Sequence, residues 1–224
     1  MVILSLARGC RDTENLEENM EITIISGSHR KSSQSRKISE MLLALMIRDH
    51  AYVSTDILDL SDHPLPLWDE SIWTGEDTWK KRLYPLKKRL QKTDGLVIVS
   101  PEWHGMVPSA LKNFFLMWTD GELAHKPALI VAVSASDGGS YPVSELRMSS
   151  YKNNRICYIP EQLIVRNVNS VFNEDSNGDK SQSQCQLEDR MIYCLEVLTR
   201  YSQVMRALRE GSGAIDISCF PYGM

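Results

Sequence analysis

The chain has 224 residues, 42% hydrophobic and 24% charged, with a net charge of −4 and a pI near 5.8. That is enough for one substantial core and short for two, and the acidity argues against a nucleic-acid partner, which asks for a basic face. No apolar run approaches the roughly 20 residues that cross a bilayer; the five cysteines form no C-x-x-C pair, which leaves zinc and iron–sulfur sites without support and suits reduced thiols in the cytoplasm.

Met1 to Ala7 is apolar, but Arg8 and Arg11 follow it instead of preceding it, the reverse of a signal peptide. Met20 directly precedes a strand-like run, so residues 1–19 read as an N-terminal extension outside the fold, or as the product of an upstream start codon, 20–209 as the folded domain and 210–224 as a Gly-containing, flexible tail. Ile22 to Ser26 is β-branched and short, as in a buried strand. The polar stretch Gly27 to Ser35 follows. Ile38, Met41, Leu42, Leu45 and Met46 then recur at helical spacing within Lys37 to Arg48.

Tyr52 to Leu58 predicts the second strand, and a Pro-containing loop runs from Ser61 to Ser71. Trp79, Leu83, Leu86 and Leu90 suit a helix face, which Pro85 should kink or break. Gly95 to Ser100 is nearly all apolar, as expected of a central parallel strand. After the loop Pro101 to Val107, Pro108 opens a helix carrying Leu111, Phe114, Phe115 and Trp118. Ala128 to Val133 is a fourth strand, followed by a small-residue loop, Ser134 to Ser140, and a helix over Pro142 to Asn153. Gln162 to Val168 predicts a fifth strand. Phe172 to Gln186 reads as a mobile polar loop, and an apolar stripe from Leu187 to Leu208 marks a long last helix.

Strands thus alternate with helices five times, which predicts an α/β fold with a mainly parallel sheet and right-handed crossovers. Ligands of such sheets bind outside the carboxyl ends of the strands. The loop after the first strand offers hydroxyls from Ser28, Ser33 and Ser35, the amide of Gln34 and the guanidinium of Arg30, beside a helix start with free N–H groups. It lacks both G-x-x-x-x-G-K-[ST] and G-x-G-x-x-G, so it suits a single phosphate monoester better than a nucleoside triphosphate or a dinucleotide. The same residues also read as an ordinary Ser-rich turn with a helix cap.

The loop after the third strand reads Pro101-Glu102-Trp103-His104-Gly105-Met106-Val107-Pro108-Ser109-Ala110-Leu111-Lys112-Asn113. It resembles the P-E-Y-N-G-x-x-P-x-x-L-K-N motif of the NADPH-dependent FMN reductases, which include chromate, quinone and azo-dye reductases. The first loop resembles that family's G-S-x-R-x-x-S-x-N phosphate loop. Asp59-Leu60 with Leu65-Pro66-Leu67-Trp68-Asp69 resembles its D-L…L-P-L-[YF]-[DN] segment. There are departures: Trp103 stands for Tyr, His104 for Asn and Ser35 for Asn.

The resemblance implies a flavodoxin-like fold: a five-stranded parallel sheet of order 2-1-3-4-5 with helices on both faces. It implies an FMN whose phosphate is cradled by Ser28, Arg30, Ser33, Gln34 and Ser35. Pro101, Glu102, Trp103, His104 and Gly105 would border the flavin ring, largely through backbone groups. Ser134, Ser136 and Gly138 would close the other side. Reduced nicotinamide, NADPH or NADH, would supply hydride and a small-molecule acceptor would take the electrons. No side chain is then an obligatory catalyst; His104 is the candidate for tuning or proton transfer, set against a backbone role in its loop. The resemblance further implies a homodimer or homotetramer, with Trp68 near the interface. An electron carrier of flavodoxin type and a flavin-free interaction module are the competing expectations.

Overall fold

The computed structural model describes residues 20–75, 77–173, 181–210 and 214–220. The expected extension, residues 1–19, lies outside the described residues, as does 174–180 within the expected mobile loop.

The alternating apolar pattern becomes β1 (Met20–Ser26), β2 (Val53–Asp59), β3 (Gly95–Pro101), β4 (Pro127–Val133) and β5 (Cys157–Val165). All pairings are parallel and the order is β2-β1-β3-β4-β5. Every residue of β3 and β4 is buried, because helices cover both faces. One face carries Ile22, Ile24, Val97, Val99, Leu129 and Val131 against α1 (Gln34–Asp49) and α6 (Gln182–Arg206). The other carries Ile25, Leu96, Ile98 and Ile130 against α3 (Asp77–Lys92), α4 (Ser109–Leu116) and α5 (Ser140–Met148). A single turn, α2 (Ser71–Thr74), precedes α3.

Several boundaries differ from the sequence expectation. Helix α3 runs unbroken through Pro85. That residue is exposed, so the Lys81 carbonyl it frees can be hydrated, and Trp79, Leu86 and Leu90 still anchor the buried face. Strand β5 begins at Cys157, not Gln162. Its register against β4 jumps between Ala128 and Ile130, and the Pro160 and Glu161 pair that masked the pattern sits in this irregular stretch of an edge strand. The Arg147 guanidinium donates to the carbonyls of Ile159 (2.9 Å) and Glu161 (3.3 Å) there. Helix α4 ends at Leu116, with Trp118 buried beyond it, and α5 ends at Met148.

From Ser181 onward the expected polar loop is helix instead. Ser181 and Gln184 form a reciprocal capping box that starts α6 at Gln182, five residues ahead of the apolar stripe. Residues 214–220 lie against the body of the fold: Ile217 abuts Gly121, and the Arg155 guanidinium donates to the carbonyls of Ile217 and Phe220.

The amino ends of the strands are closed by charge. Asp94 accepts from the Glu21 amide (3.0 Å) and from Arg209 (2.7 Å), which ties the segment just after α6 to the sheet. The buried Lys126 ammonium caps the end of α3 through the carbonyls of Leu90 and Gln91, and burial pushes its pKa down to about 7. The carboxyl ends are organised differently. Strand order reverses between β1 and β3, which opens a crevice between the loops that leave them.

Candidate functional site

The first loop begins at Gly27, whose N–H donates to the Val99 carbonyl of β3 (2.8 Å). A Cβ there would lie 2.7 Å from that carbonyl oxygen and 2.7 Å from Leu111 Cδ2, so only glycine lets the chain pass this close to β3 and α4. Ser28 is buried, and its Oγ accepts from the Arg30 amide (3.2 Å). Ser33 is the N-cap of α1: its backbone is extended and its Oγ accepts from the Arg36 amide (3.1 Å). Both hydroxyls therefore still have a proton to donate.

Ser35, in the first turn of α1, is 1% exposed and its Oγ has no partner among the described residues. A buried hydroxyl left so costs about 1–3 kcal/mol unless something else satisfies it. The first turn of α1 holds no acidic residue, and its leading amides have no intrahelical acceptors. Arg30 and Gln34 are exposed beside it. Arg36 is committed elsewhere, to Glu40 (2.7 Å), Asp59 (3.2 Å) and Asp62 (3.1 Å). The loop thus presents hydroxyl protons, free amides and one uncommitted guanidinium, the donor set that a doubly charged phosphate requires.

The loop after β3 is a two-residue hairpin. Trp103 and Met106 exchange backbone bonds of 3.1 and 2.9 Å, and His104 and Gly105 between them have φ of 53° and 72°. Positive φ at both central positions marks a primed turn, for which Asn-Gly is the preferred pair. His104 is one of the few non-glycine residue types that tolerate this conformation, and its exposed position gives it a turn role. His104→Asn should leave stability unchanged or slightly raised, whereas His104→Val should cost about 1–2 kcal/mol, since a β-branched side chain is strained at positive φ. Urea midpoints of the two variants check this.

The Glu102 and Trp103 amides donate to Val133 (2.9 Å) and Met106 (3.1 Å), and Pro101 has no N–H. Of the five hairpin residues, only His104 and Gly105 keep an amide without an acceptor among the described residues. The Glu102 side chain, in contrast, accepts from the Gly139 amide at the start of α5. It thereby clamps the hairpin to the loop after β4.

That third loop is fixed at both ends. Ser134 donates its amide to Val165 (2.9 Å) and accepts at Oγ from the Ser136 amide (3.2 Å). Gly138 has no room for a Cβ, which would lie 2.8 Å from Glu102 Oε1. Ser136 and Gly138 lie nearer the surface than the buried Ser134. Arg166 Nε donates to the carbonyls of Asp137 (2.7 Å) and Gly138 (3.1 Å), and Asn167 Nδ2 to Asp137 Oδ1 (3.0 Å).

The structure brings the three loops together through residues that sequence reading left without a role. His29 packs edge-on against Trp103, ring centroids 4.8 Å apart, and joins the first loop to the hairpin. Asn113 accepts from the Trp68 amide (2.8 Å) and donates to the Pro66 carbonyl (2.7 Å), so it fastens the Leu65–Trp68 segment to α4. Leu111 underlies Gly27, and Lys112 pairs with Glu145 of α5 (2.6 Å). Asn113 was visible in the motif, but its bonding needs the fold. Nothing in the sequence marks His29.

Two concavities lie away from the first loop. A groove of about 1210 Å³ runs between Trp68, Trp73, Trp79, Tyr84 and Trp118, and one of about 400 Å³ lies beside Lys112, Phe115 and Glu145. Neither touches the serines of the first loop, so donor chemistry, and not the volume of either hollow, marks the candidate site. Among the described residues no cluster of His, Cys, Asp and Glu could hold a metal ion, and no helix is long and apolar enough to cross a membrane.

Comparison with known proteins follows the same lines. A family model described as NADPH-dependent FMN reductase matches residues 20–170. An NADPH azoreductase of Bacillus sp. strain OY1-2 is 26% identical over 148 residues, covering 65% of this chain and 76% of that one. An FMN-dependent NADPH-azoreductase of Staphylococcus aureus is 27% identical over 174 residues, covering 77% and 91%. Among solved structures, FerB, a flavoenzyme NAD(P)H:(acceptor) oxidoreductase from Paracoccus denitrificans, superposes with a TM-score of 0.65 at 17% identity over 81% of this chain and 98% of its own, a likeness of fold.

Proposed function

The chain belongs to the NADPH-dependent FMN reductase family, and from that premise we propose that it holds FMN in the crevice between β1 and β3 and passes electrons from reduced nicotinamide to a small-molecule acceptor. One observation carries the placement. At the start of α1, next to that crevice, the free hydroxyl protons of Ser28 and Ser33 stand together with the Ser35 hydroxyl and the Arg30 guanidinium, both without a partner among the described residues, and with no first-turn acid to compete.

FMN, when bound, supplies hydride acceptance from NADPH or NADH and onward electron transfer. The chain supplies position and field. Ser28, Ser33, Ser35, Gln34 and the leading amides of α1 at Gln34 and Ser35 would donate to the phosphate, and Arg30 would add a fork of N–H donors. Trp103 offers an aromatic face in place of the family's Tyr, and the His104 and Gly105 amides are the hairpin's spare donors for polar atoms of the ring. Pro101 closes β3, and Glu102 keeps hairpin and third loop in register through Gly139. Ser134, Ser136 and Gly138 line the opposite side.

We read the acceptor as a quinone, flavin, azo compound or metal oxyanion, and the assembly as a homodimer or homotetramer. Leu67 and Trp73, 77% and 75% exposed, leave apolar surface beside Trp68 for a second copy to cover. The four described cysteines are unpaired, which suits a cytoplasmic protein.

The test is an absorbance spectrum of the purified protein followed by anaerobic NADPH. Flavin bands near ~370 and ~450 nm should appear and bleach without a partner protein. A colourless chain that takes up no added FMN would falsify the reading. A bound flavin that NADPH leaves oxidised would make the protein an electron carrier instead.

A further inference from the structure

The reading above leaves Tyr141 and Met106 unused, although both stand where the hairpin meets the third loop. Tyr141 is 68% exposed and Met106 49% exposed. Single exposed apolar side chains are ordinary on a protein surface, but these two are not scattered. Tyr141 is the second residue of α5, directly after the loop that ends at Gly139. Its ring carbons lie 3.8 Å from where a Cβ of Gly105 would sit, so the ring stands against the bare turn of the hairpin. Met106 pairs across the hairpin with Trp103, which puts their side chains on one face. His29 packs edge-on against the Trp103 ring.

The position of Tyr141 is held from two directions. Glu102 bonds the Gly139 amide two residues before it. Glu145, one helical turn after it, accepts from the Val107 amide (2.7 Å) and from Lys112 (2.6 Å). Helix α5 is thus fastened to the entry and the exit of the hairpin. Lys112 and Glu145 neutralise each other, so the wall beside Tyr141 gains no net charge from them. A tyrosine with only two side-chain torsions, on a fixed helix start, loses little freedom when a ligand covers it.

We propose that Tyr141 and Met106 form the outer apolar wall of the acceptor position and determine a preference for uncharged aromatic acceptors over non-aromatic ones. The inference rests on the assignment of the hairpin and third loop to the flavin ring. Tyr141 acts by contact with the acceptor's ring face, and Met106 fills the irregular gap beside it with a flexible thioether.

The experiment uses the FMN-loaded full chain. Calorimetric titration of the oxidised protein with menadione, an uncharged naphthoquinone that cannot react in that state, should give an affinity about tenfold weaker in Tyr141→Ala, the effect of one aromatic contact. Tyr141→Phe should restore it. In turnover, NADPH + H⁺ + quinone gives NADP⁺ + hydroquinone: two electrons leave the nicotinamide as hydride, and the second proton comes from solvent. The ratio of kcat/KM for menadione to that for ferricyanide should fall by a similar factor in Tyr141→Ala. Unchanged menadione affinity, equal losses for both acceptors, or no rescue by Tyr141→Phe overturns the inference. A wild-type chain that takes up no FMN removes the inference together with the reading beneath it, and the wild-type spectrum alone distinguishes that failure.

Discussion

Arg30→Ala combined with Ser33→Ala is expected to weaken FMN binding by about a hundredfold. Hydrogen bonds to a charged group are worth roughly 1.5–3 kcal/mol each, and 1.4 kcal/mol is a factor of ten. Two such bonds would reach a thousandfold, but Arg30 is exposed and solvent screens part of its charge, which holds the expectation lower. Ser33 has a second duty as the N-cap of α1, accepting from the Arg36 amide. Its loss costs about 1 kcal/mol of stability whether or not a ligand is present. Ser33→Ala alone, followed by urea unfolding of the flavin-free protein, isolates that cost. Fluorescence titration of FMN into both variants then reads the ligand's share, and added salt should narrow the difference for Arg30. Unaltered affinity in the double variant would place the phosphate elsewhere in the fold.

The central strands were legible because burial on both faces leaves a plain mark, whereas their order came from the family resemblance and was not in the pattern itself. Gly95 to Ser100 and Ala128 to Val133 are apolar almost throughout, and no surface strand reads that way. The helix starts were less legible, because they depend on polar residues whose pattern is short. The Ser181–Gln184 capping box lay in the sequence as four polar residues inside a polar stretch, and the apolar stripe begins only at Leu187. Pro85 did not break its helix: it sits at an exposed position, where the carbonyl it frees can be hydrated.

At the candidate site the donors of the first loop were readable as residue types. Their availability was not. Only the fold separates Arg30, uncommitted, from Arg36, which is bound to three carboxylates. Likewise Glu102 was expected to act through its backbone, whereas its carboxylate reaches the Gly139 amide 37 positions along the chain. His29 meeting Trp103 is a contact of the same kind, set by where two loops end and by nothing in either loop alone.

Gly139→Ala should be the most damaging single methyl in the site. Gly139 has φ of 104° and ψ of −13°, a conformation that side chains rarely adopt. Its added Cβ would lie 2.4 Å from Ile164 Cγ2 on β5 and 3.7 Å from the Ala132 Cβ on β4, so it cannot turn aside without moving the sheet. Strained backbone costs about 1–3 kcal/mol, and overpacking a fitted contact about as much again. Together they reach about 2–6 kcal/mol, a large share of the roughly 5–15 kcal/mol that holds a domain folded. Any shift that relieves the clash also moves the amide that Glu102 holds, so the hairpin should loosen and FMN affinity should fall along with stability. Adding Ile164→Ala removes the clashing methyl but leaves the backbone strain, so it should recover about half of the loss in a urea midpoint, less what β5 loses in packing. A Gly139→Ala protein as stable as its parent would mean that this turn has another conformation open to it, one that does not need Glu102 to hold it.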